Sequence, residues 1–182
     1  MNGYDFDKTI YKGDCFVNFY LFCFKKFPYI IILLPFQIIM FIFVFSSRKL
    51  IKEVLGMYLI LIPNKTKQID LFWDKNICKI EKWYLNQKRE NDVIISASPE
   101  FLLFPICKRL NIKNVIATKM NVKTGKIAGK NCWGEEKCVR FRNLFPETCL
   151  FSFYSDSLSD KPMMKLSQNG YLVNKGGIRK IT

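Results

Sequence analysis

Hydrophobic and polar positions change their rhythm along this chain, and each rhythm predicts a different kind of element. Residues 1–14 form a short start that ends in the turn-like Lys12-Gly13-Asp14. Residues 15–62 are apolar and aromatic almost throughout, interrupted by the basic pairs Lys25, Lys26 and Arg48, Lys49. Over residues 63–92, which are basic and polar, Ile69, Phe72, Trp73, Ile77, Ile80, Trp83 and Tyr84 recur at helical spacing. From residue 93 onward, β-branched runs alternate with helix-like stretches. Residues 93–96 read as a strand leading into a helix cap, 114–118 as a second strand, 149–154 as a third and 171–173 as a fourth. Residues 122–127 centre on Thr124-Gly125 and read as a hairpin turn, whereas Gly134 is followed by Glu135 and Glu136, acids that favour a first helical turn. Strands alternating with helices predict an α/β fold with a Rossmann-like parallel sheet.

Composition narrows the function. A chain of 182 residues suffices for one core with an insertion. Its net charge of +14 favours anionic partners: nucleic acid, anionic lipid or phosphorylated small molecules. The absence of histidine removes imidazole acid–base chemistry and histidine-ligated zinc. Seven cysteines, odd in number and without CxxC spacing, read as reduced thiols in a cytoplasmic setting. The start MNGYDFDK carries two acids and no apolar run, so no secretory signal is expected there. Nucleic acid is not expected either, because the aromatic residues sit in apolar runs rather than among the basic ones.

In a parallel α/β sheet, sites gather at the C-terminal ends of strands. Three predicted loops there carry acids or hydroxyls: DFDKT at 5–9, SAS at 96–98 and SDSLSD at 155–160. Asp5 and Asp7, two residues apart, can face one pocket as their strand ends. Convergent carboxylates with a third acid from another loop suit Mg²⁺, which binds few carboxylates and keeps several waters. A carboxylate attacking a phosphate ester needs such a cation, together with fixed donors, to overcome like-charge repulsion.

In order along the chain, D-F-D-K-T, a hydrophobic run ending in Ser96, Lys137 in NCWGEEK, and Asp156 with Asp160 in YSDSLSD resemble the four motifs of the haloacid-dehalogenase phosphatases. The resemblance implies a Mg²⁺-dependent phosphomonoester hydrolase with a Rossmann-like core at 1–11 and 90–182 and an inserted helical cap at 12–89. It implies Asp5 as the nucleophile that forms an aspartyl-phosphate, and Asp7 as the acid and then the base, with Thr9 helping to fix Asp7. Ser96 and Lys137 would hold the phosphoryl oxygens, with Ser98 competing for the serine role. Asp5, the backbone carbonyl of Asp7 and Asp156 would hold the metal, and Asp160 would orient Lys137 or a metal-bound water. The family usually sets a hydrophobic strand before its first aspartate; here Met1-Asn2-Gly3-Tyr4 predicts a frayed or truncated one.

The substrate is less sharply drawn. Asp14, Ser96-Ala97-Ser98-Pro99 and the form of SDSLSDKPMM depart from phosphoserine phosphatases and look more like the phosphatidylglycerophosphate phosphatase C group. That implies a lipid phosphate, with a soluble phosphorylated metabolite as the alternative and a non-enzymatic basic membrane-binding module as the competing class. Residues 27–47 carry no charge, and as one helix they would span roughly 30 Å, the thickness of a bilayer core. A single crossing would part Asp5 from Ser96, Lys137 and Asp156, and Pro28 and Pro35 interrupt the run. The expectation is therefore a non-spanning cap over the site, with peripheral contact to an anionic cytoplasmic membrane face left open.

Overall fold

The computed structural model describes residues 1–174 and 176–181. Strands β1 (Asn2–Tyr4), β2 (Val93–Pro99), β3 (Asn114–Thr118), β4 (Leu150–Ser155) and β5 (Ser167–Asn174) run parallel in the order β3-β2-β1-β4-β5. A sixth, β6 (Gly177–Lys180), closes the β5 edge antiparallel. The fourth predicted strand is thus longer than the 171–173 expected, and β6 went unread in the sequence.

The first strand is short, as expected, but it is not frayed. Gly3 and Tyr4 pair with Val93 and Ile94 on one side and with Phe153 and Tyr154 on the other. Its start is pinned by the buried Asp92, whose carboxylate accepts from Asn2 N at 2.8 Å and Arg89 N at 2.9 Å. A strand flanked on both sides gains order from its neighbours' hydrogen bonds and needs little hydrophobicity of its own.

Between β1 and β2 every long element is helical: α1 (Cys15–Lys26), α2 (Leu34–Val44), α3 (Arg48–Gly56), α4 (Lys65–Asn76) and α5 (Lys82–Gln87). Asp14 caps α1 by accepting from Val17 N, and Ser47 caps α3 by accepting from Leu50 N. After β2 come α6 (Glu100–Arg109), α7 (Glu135–Leu144) and α8 (Lys161–Leu166). One apolar cluster joins Phe19, Tyr58, Phe72 and Trp73 of the helical segment to Leu102 and Leu103 of α6, and the Trp73 indole donates to Leu102 O at 2.9 Å. A second cluster packs Phe141 of α7 and Met163 of α8 against Val93, Ile95 and Phe153 on the other face of the sheet. The result is a helix–sheet–helix sandwich.

The uncharged run is broken as its prolines require: a 3₁₀ stretch, Pro28–Leu33, precedes α2. Eleven residues of α2 cover only about 16 Å. Among the described residues no single helix is long and apolar enough to cross a membrane, and the axis bends by 116° between α1 and the Pro28–Val44 stretch.

The polarity of α2 is inverted. Its one polar residue, Gln37, is buried, accepting from Tyr20 Oη at 3.2 Å and donating to Val54 O at 2.9 Å. Its outward positions are Phe36, Ile38, Ile39, Ile42 and Phe43, exposed by 47–75%.

Candidate active site

Asp5 is the first residue past β1, and its backbone N–H donates to Tyr154 O at 2.8 Å, so the strand pairing itself delivers this carboxylate to the sheet end. The chain then turns tightly: Lys8 takes a positive φ of 57° while its N–H donates to Tyr11 O and Gly13 O. Asp5 Oδ1 lies 2.7 Å from Lys137 Nζ, and the same ammonium lies 2.6 Å from Asp160 Oδ2. All three residues are buried. Lys137 reaches inward from the first turn of α7, which Gly134 introduces with φ 58° and ψ −127°. That backbone region is essentially reserved for glycine, so Gly134 sets the approach of the lysine.

Asp7 is held by a different set of groups. Cys15 N donates to its Oδ1 at 2.7 Å, and the Ser98 hydroxyl makes a short contact with its Oδ2. Ser96 Oγ accepts from Ser98 N at 3.1 Å, which leaves the Ser96 hydroxyl proton free for a ligand. The expectation for Thr9 is corrected here: its hydroxyl accepts from Asp156 N at 2.8 Å and fixes the third loop rather than Asp7. The same loop is tied by Ser155 Oγ, which donates to Asp160 Oδ2 at 2.7 Å.

Asp5, Asp7, Ser96, Ser98, Lys137, Asp156 and Asp160 line one cavity of about 390 Å³ at the C-terminal ends of β1, β2 and β4. Its place, beside the central strand where connections diverge to the two edges of the sheet, is where open α/β folds bind ligands. A larger cleft of about 790 Å³, lined by Lys88, Phe104 and Lys113, opens near the starts of β2 and β3, away from these acids.

Negative charge is in excess around Lys137, whose ammonium faces both Asp5 and Asp160. Burial pushes the Asp5 carboxyl up to about 7, with Lys137 opposing and Asp160 adding to the rise. Burial likewise pushes Asp7 up to about 6, with Asp14 adding to it, and raises Asp156. Burial opposes the charge on Lys137, but Asp5 and Asp160 outweigh it and the ammonium is held more firmly than usual. Among the described residues Asp160 Oδ1 is buried without a hydrogen-bond partner. Crowded buried carboxylates and an orphaned acceptor suit a hydrated divalent cation. Among the described residues no three acid, thiol or imidazole side chains are preassembled around a metal position.

The helical segment adds groups that the sequence reading passed over. Arg48 and Lys52 of α3 line the cavity together with Asn131 and Trp133. Lys52 Nζ donates to Ala97 O at 2.6 Å and to Asn131 Oδ1 at 3.1 Å, and the Arg48 guanidinium lies 4.3 Å from the Trp133 ring centroid. The spacing of Arg48 and Lys52, one helical turn apart beside an apolar run, was the available signal.

The parallel α/β sheet thus gathers acids from the ends of β1 and β4 and serine hydroxyls from the end of β2 into one site. The family model described as haloacid dehalogenase-like hydrolase matches residues 80–165. A probable phosphatase of Mycobacterium tuberculosis is 35% identical over 97 residues, covering 48% of this chain and 33% of that protein. Protein CicA of Caulobacter vibrioides is 30% identical over 91 residues, covering 46% of this chain and 41% of that protein. The chain thus matches less than half the length of these curated relatives. Among solved structures, a protein of unknown function from Bordetella pertussis Tohama I has a TM-score of 0.75 at 17% identity, covering 93% of this chain and 87% of that one. A phosphoserine phosphohydrolase-like protein from Francisella tularensis has a TM-score of 0.56 at 15% identity, covering 93% and 86%. Over residues 80–165 the chain is thus similar to the haloacid dehalogenase-like hydrolases, and it shares its fold with these solved structures.

Proposed function

We propose that the chain hydrolyses phosphomonoesters through a phosphorylated Asp5, with residues 12–89 as the cap over the site. The observation that carries this reading is the buried Asp5–Lys137–Asp160 contact, which joins three distant segments beside Asp7 and Ser96. An Asp5 oxygen attacks phosphorus as the bond from phosphorus to the leaving oxygen breaks. Asp7, whose raised pKa suits a proton carrier, gives its proton to that oxygen. Asp7 then takes a proton from water as the water oxygen attacks phosphorus and the Asp5–phosphorus bond breaks, releasing inorganic phosphate. Lys137 and the free Ser96 proton hold phosphoryl oxygens, while Ser98 and Cys15 N keep Asp7 in place. Asp5, Asp156 and the Asp7 carbonyl would hold Mg²⁺, whose charge would ionise Asp5 and offset that of the phosphoryl group. Phosphate release from an aryl phosphate should require Mg²⁺ and vanish in Asp5→Asn. Release that survives this substitution overturns the assignment.

The inverted polarity of α2 favours a membrane surface as the place of action and a lipid phosphate as substrate. Apolar side chains point outward over a continuous face, a polar one points inward, and Lys25, Lys26, Arg48 and Lys49 flank the run. Each exposed side chain buried in lipid contributes about 1.5–3 kcal/mol, and each nearby basic residue about 1 kcal/mol at an anionic leaflet. Anionic vesicles should therefore sediment the protein, and the triple change Ile38→Ser, Ile42→Ser, Phe43→Ser should release it. A soluble metabolite would be the substrate if vesicles fail to bind the protein while aryl phosphate is still turned over. Vesicle binding without any phosphate release would favour a basic membrane-binding module.

A further inference from the structure

We infer that the cavity holds a second anion, so that the substrate is a phosphomonoester whose leaving group carries a carboxylate or a further phosphate, seated on Lys52 and Arg48. The inference rests on the phosphatase reading above and adds the class of leaving group.

The cavity's cations do different jobs. The charge of Lys137 is already matched by two carboxylates within 2.7 Å of its ammonium, although one N–H stays available to the phosphoryl group. Lys52 is not so matched. It is partly buried, its hydrogen-bond partners are the neutral oxygens of Ala97 and Asn131, and among the described residues it makes no ion pair. Those partners use two of its three N–H donors and leave one for a ligand. Asp7 and Asp14 act on Lys52 only at longer range. Their carboxylates already accept from Cys15 N and Ser98 Oγ, and from Val17 N, respectively. A partly desolvated ammonium with no anion in contact is costly unless a ligand supplies one.

Arg48 repeats the pattern one helical turn earlier. It is exposed, stacks on Trp133 and makes no ion pair among the described residues. With the Trp133 ring on one side and no hydrogen bond to its donors among the described residues, the guanidinium can take a carboxylate or phosphate bidentately. Helix α3 is held rigidly enough for this purpose. Glu53 accepts from Ile127 N at 2.9 Å, Lys49 donates to Gly129 O at 2.8 Å, and Gly56 packs directly on Gly125. Both cations are thus fixed on the wall of the cavity that holds the reacting acids.

The test compares 3-hydroxypropyl phosphate with propane-1,3-diyl bisphosphate and 3-phosphooxypropanoate, which share a three-carbon chain and differ only at its far end. The two esters with an anionic far end should show kcat/KM about tenfold higher than the one ending in a hydroxyl, the worth of one charge-assisted contact. Lys52→Gln should bring the ratio close to one, mainly through KM, and Lys52→Arg should keep most of it. The better of the two charged esters identifies the second anion, and a lipid bearing the same end group in vesicles separates membrane from soluble sources. A ratio of one in the wild type, or proportional losses on all three esters in Lys52→Gln, would overturn the inference. Calorimetry on Asp5→Asn protein measures the same preference without turnover. Selective binding of the bisphosphate that Lys52→Gln abolishes keeps the second site even if the phosphatase reading fails, and absence of that selectivity removes it.

Discussion

Lys137 Nζ sits 2.7 Å from Asp5 Oδ1 across 132 residues of sequence, with Asp160 Oδ2 on its other side. The three groups form a buried cluster with one cation and two carboxylates, and every property expected of the site begins from that imbalance.

Replacing the cation should expose it. Lys137→Met leaves two buried carboxylates facing each other and should destabilise the fold by about 3–5 kcal/mol in urea unfolding. Adding Asp160→Asn should recover part of the loss, because it removes one of the orphaned charges. Additive losses in this double-mutant cycle would mean that the two residues are not coupled.

Stability of the metal-free protein should depend on pH in a definite direction. Burial raises Asp5 from 3.8 to about 7 and Asp7 from 3.8 to about 6. The folded chain therefore keeps protons that the unfolded chain has lost between roughly pH 4 and 7, and these groups make stability fall as pH rises through that window. The melting temperature of the wild type relative to Asp5→Asn should accordingly decline from pH 5 to pH 7.5. Added Mg²⁺ should offset the decline. A relative melting temperature that climbs with pH would contradict the raised carboxyl.

Ser98→Ala should leave Asp7 with Cys15 N as its remaining donor. Under the proposed mechanism, turnover should fall by about tenfold on alkyl phosphates and less on an aryl phosphate with a good leaving group, since Asp7 supplies the proton. Equal losses across a leaving-group series would show that Ser98 supports the fold rather than the proton transfer.

Gly125→Ala tests how closely α3 must approach the core. Gly125 has φ 73°, and a Cβ there would lie 2.3 Å from Gly56 O, a backbone atom that cannot swing aside. The substitution should cost about 1–3 kcal/mol of stability in urea unfolding. It should also lower the discrimination between esters with a neutral and with an anionic far end, because α3 carries Lys52. Unchanged stability would mean that α3 tolerates displacement.

Much of this molecule was legible in one dimension. Strand alternation, the helical spacing of Ile69, Phe72 and Trp73, and the order of the acidic loops are local or periodic signals, so the parallel core and the loops of its acids could be read directly. The spacing of Asp5 and Asp7 on a strand end is of the same kind. Tertiary structure decided what depends on approach between distant segments. It gave the Thr9 hydroxyl to Asp156 N instead of Asp7, turned Gln37 inward and its apolar neighbours outward, and brought Lys52 into the cavity from a stretch that reads as apolar interior. It also made a central strand of Asn2–Tyr4, which propensity alone would leave weak. Propensity and periodicity are properties of a residue and its neighbours in sequence. The partner a hydroxyl takes, the face a helix buries and the charge left unpaired are set by which surfaces meet when the chain closes.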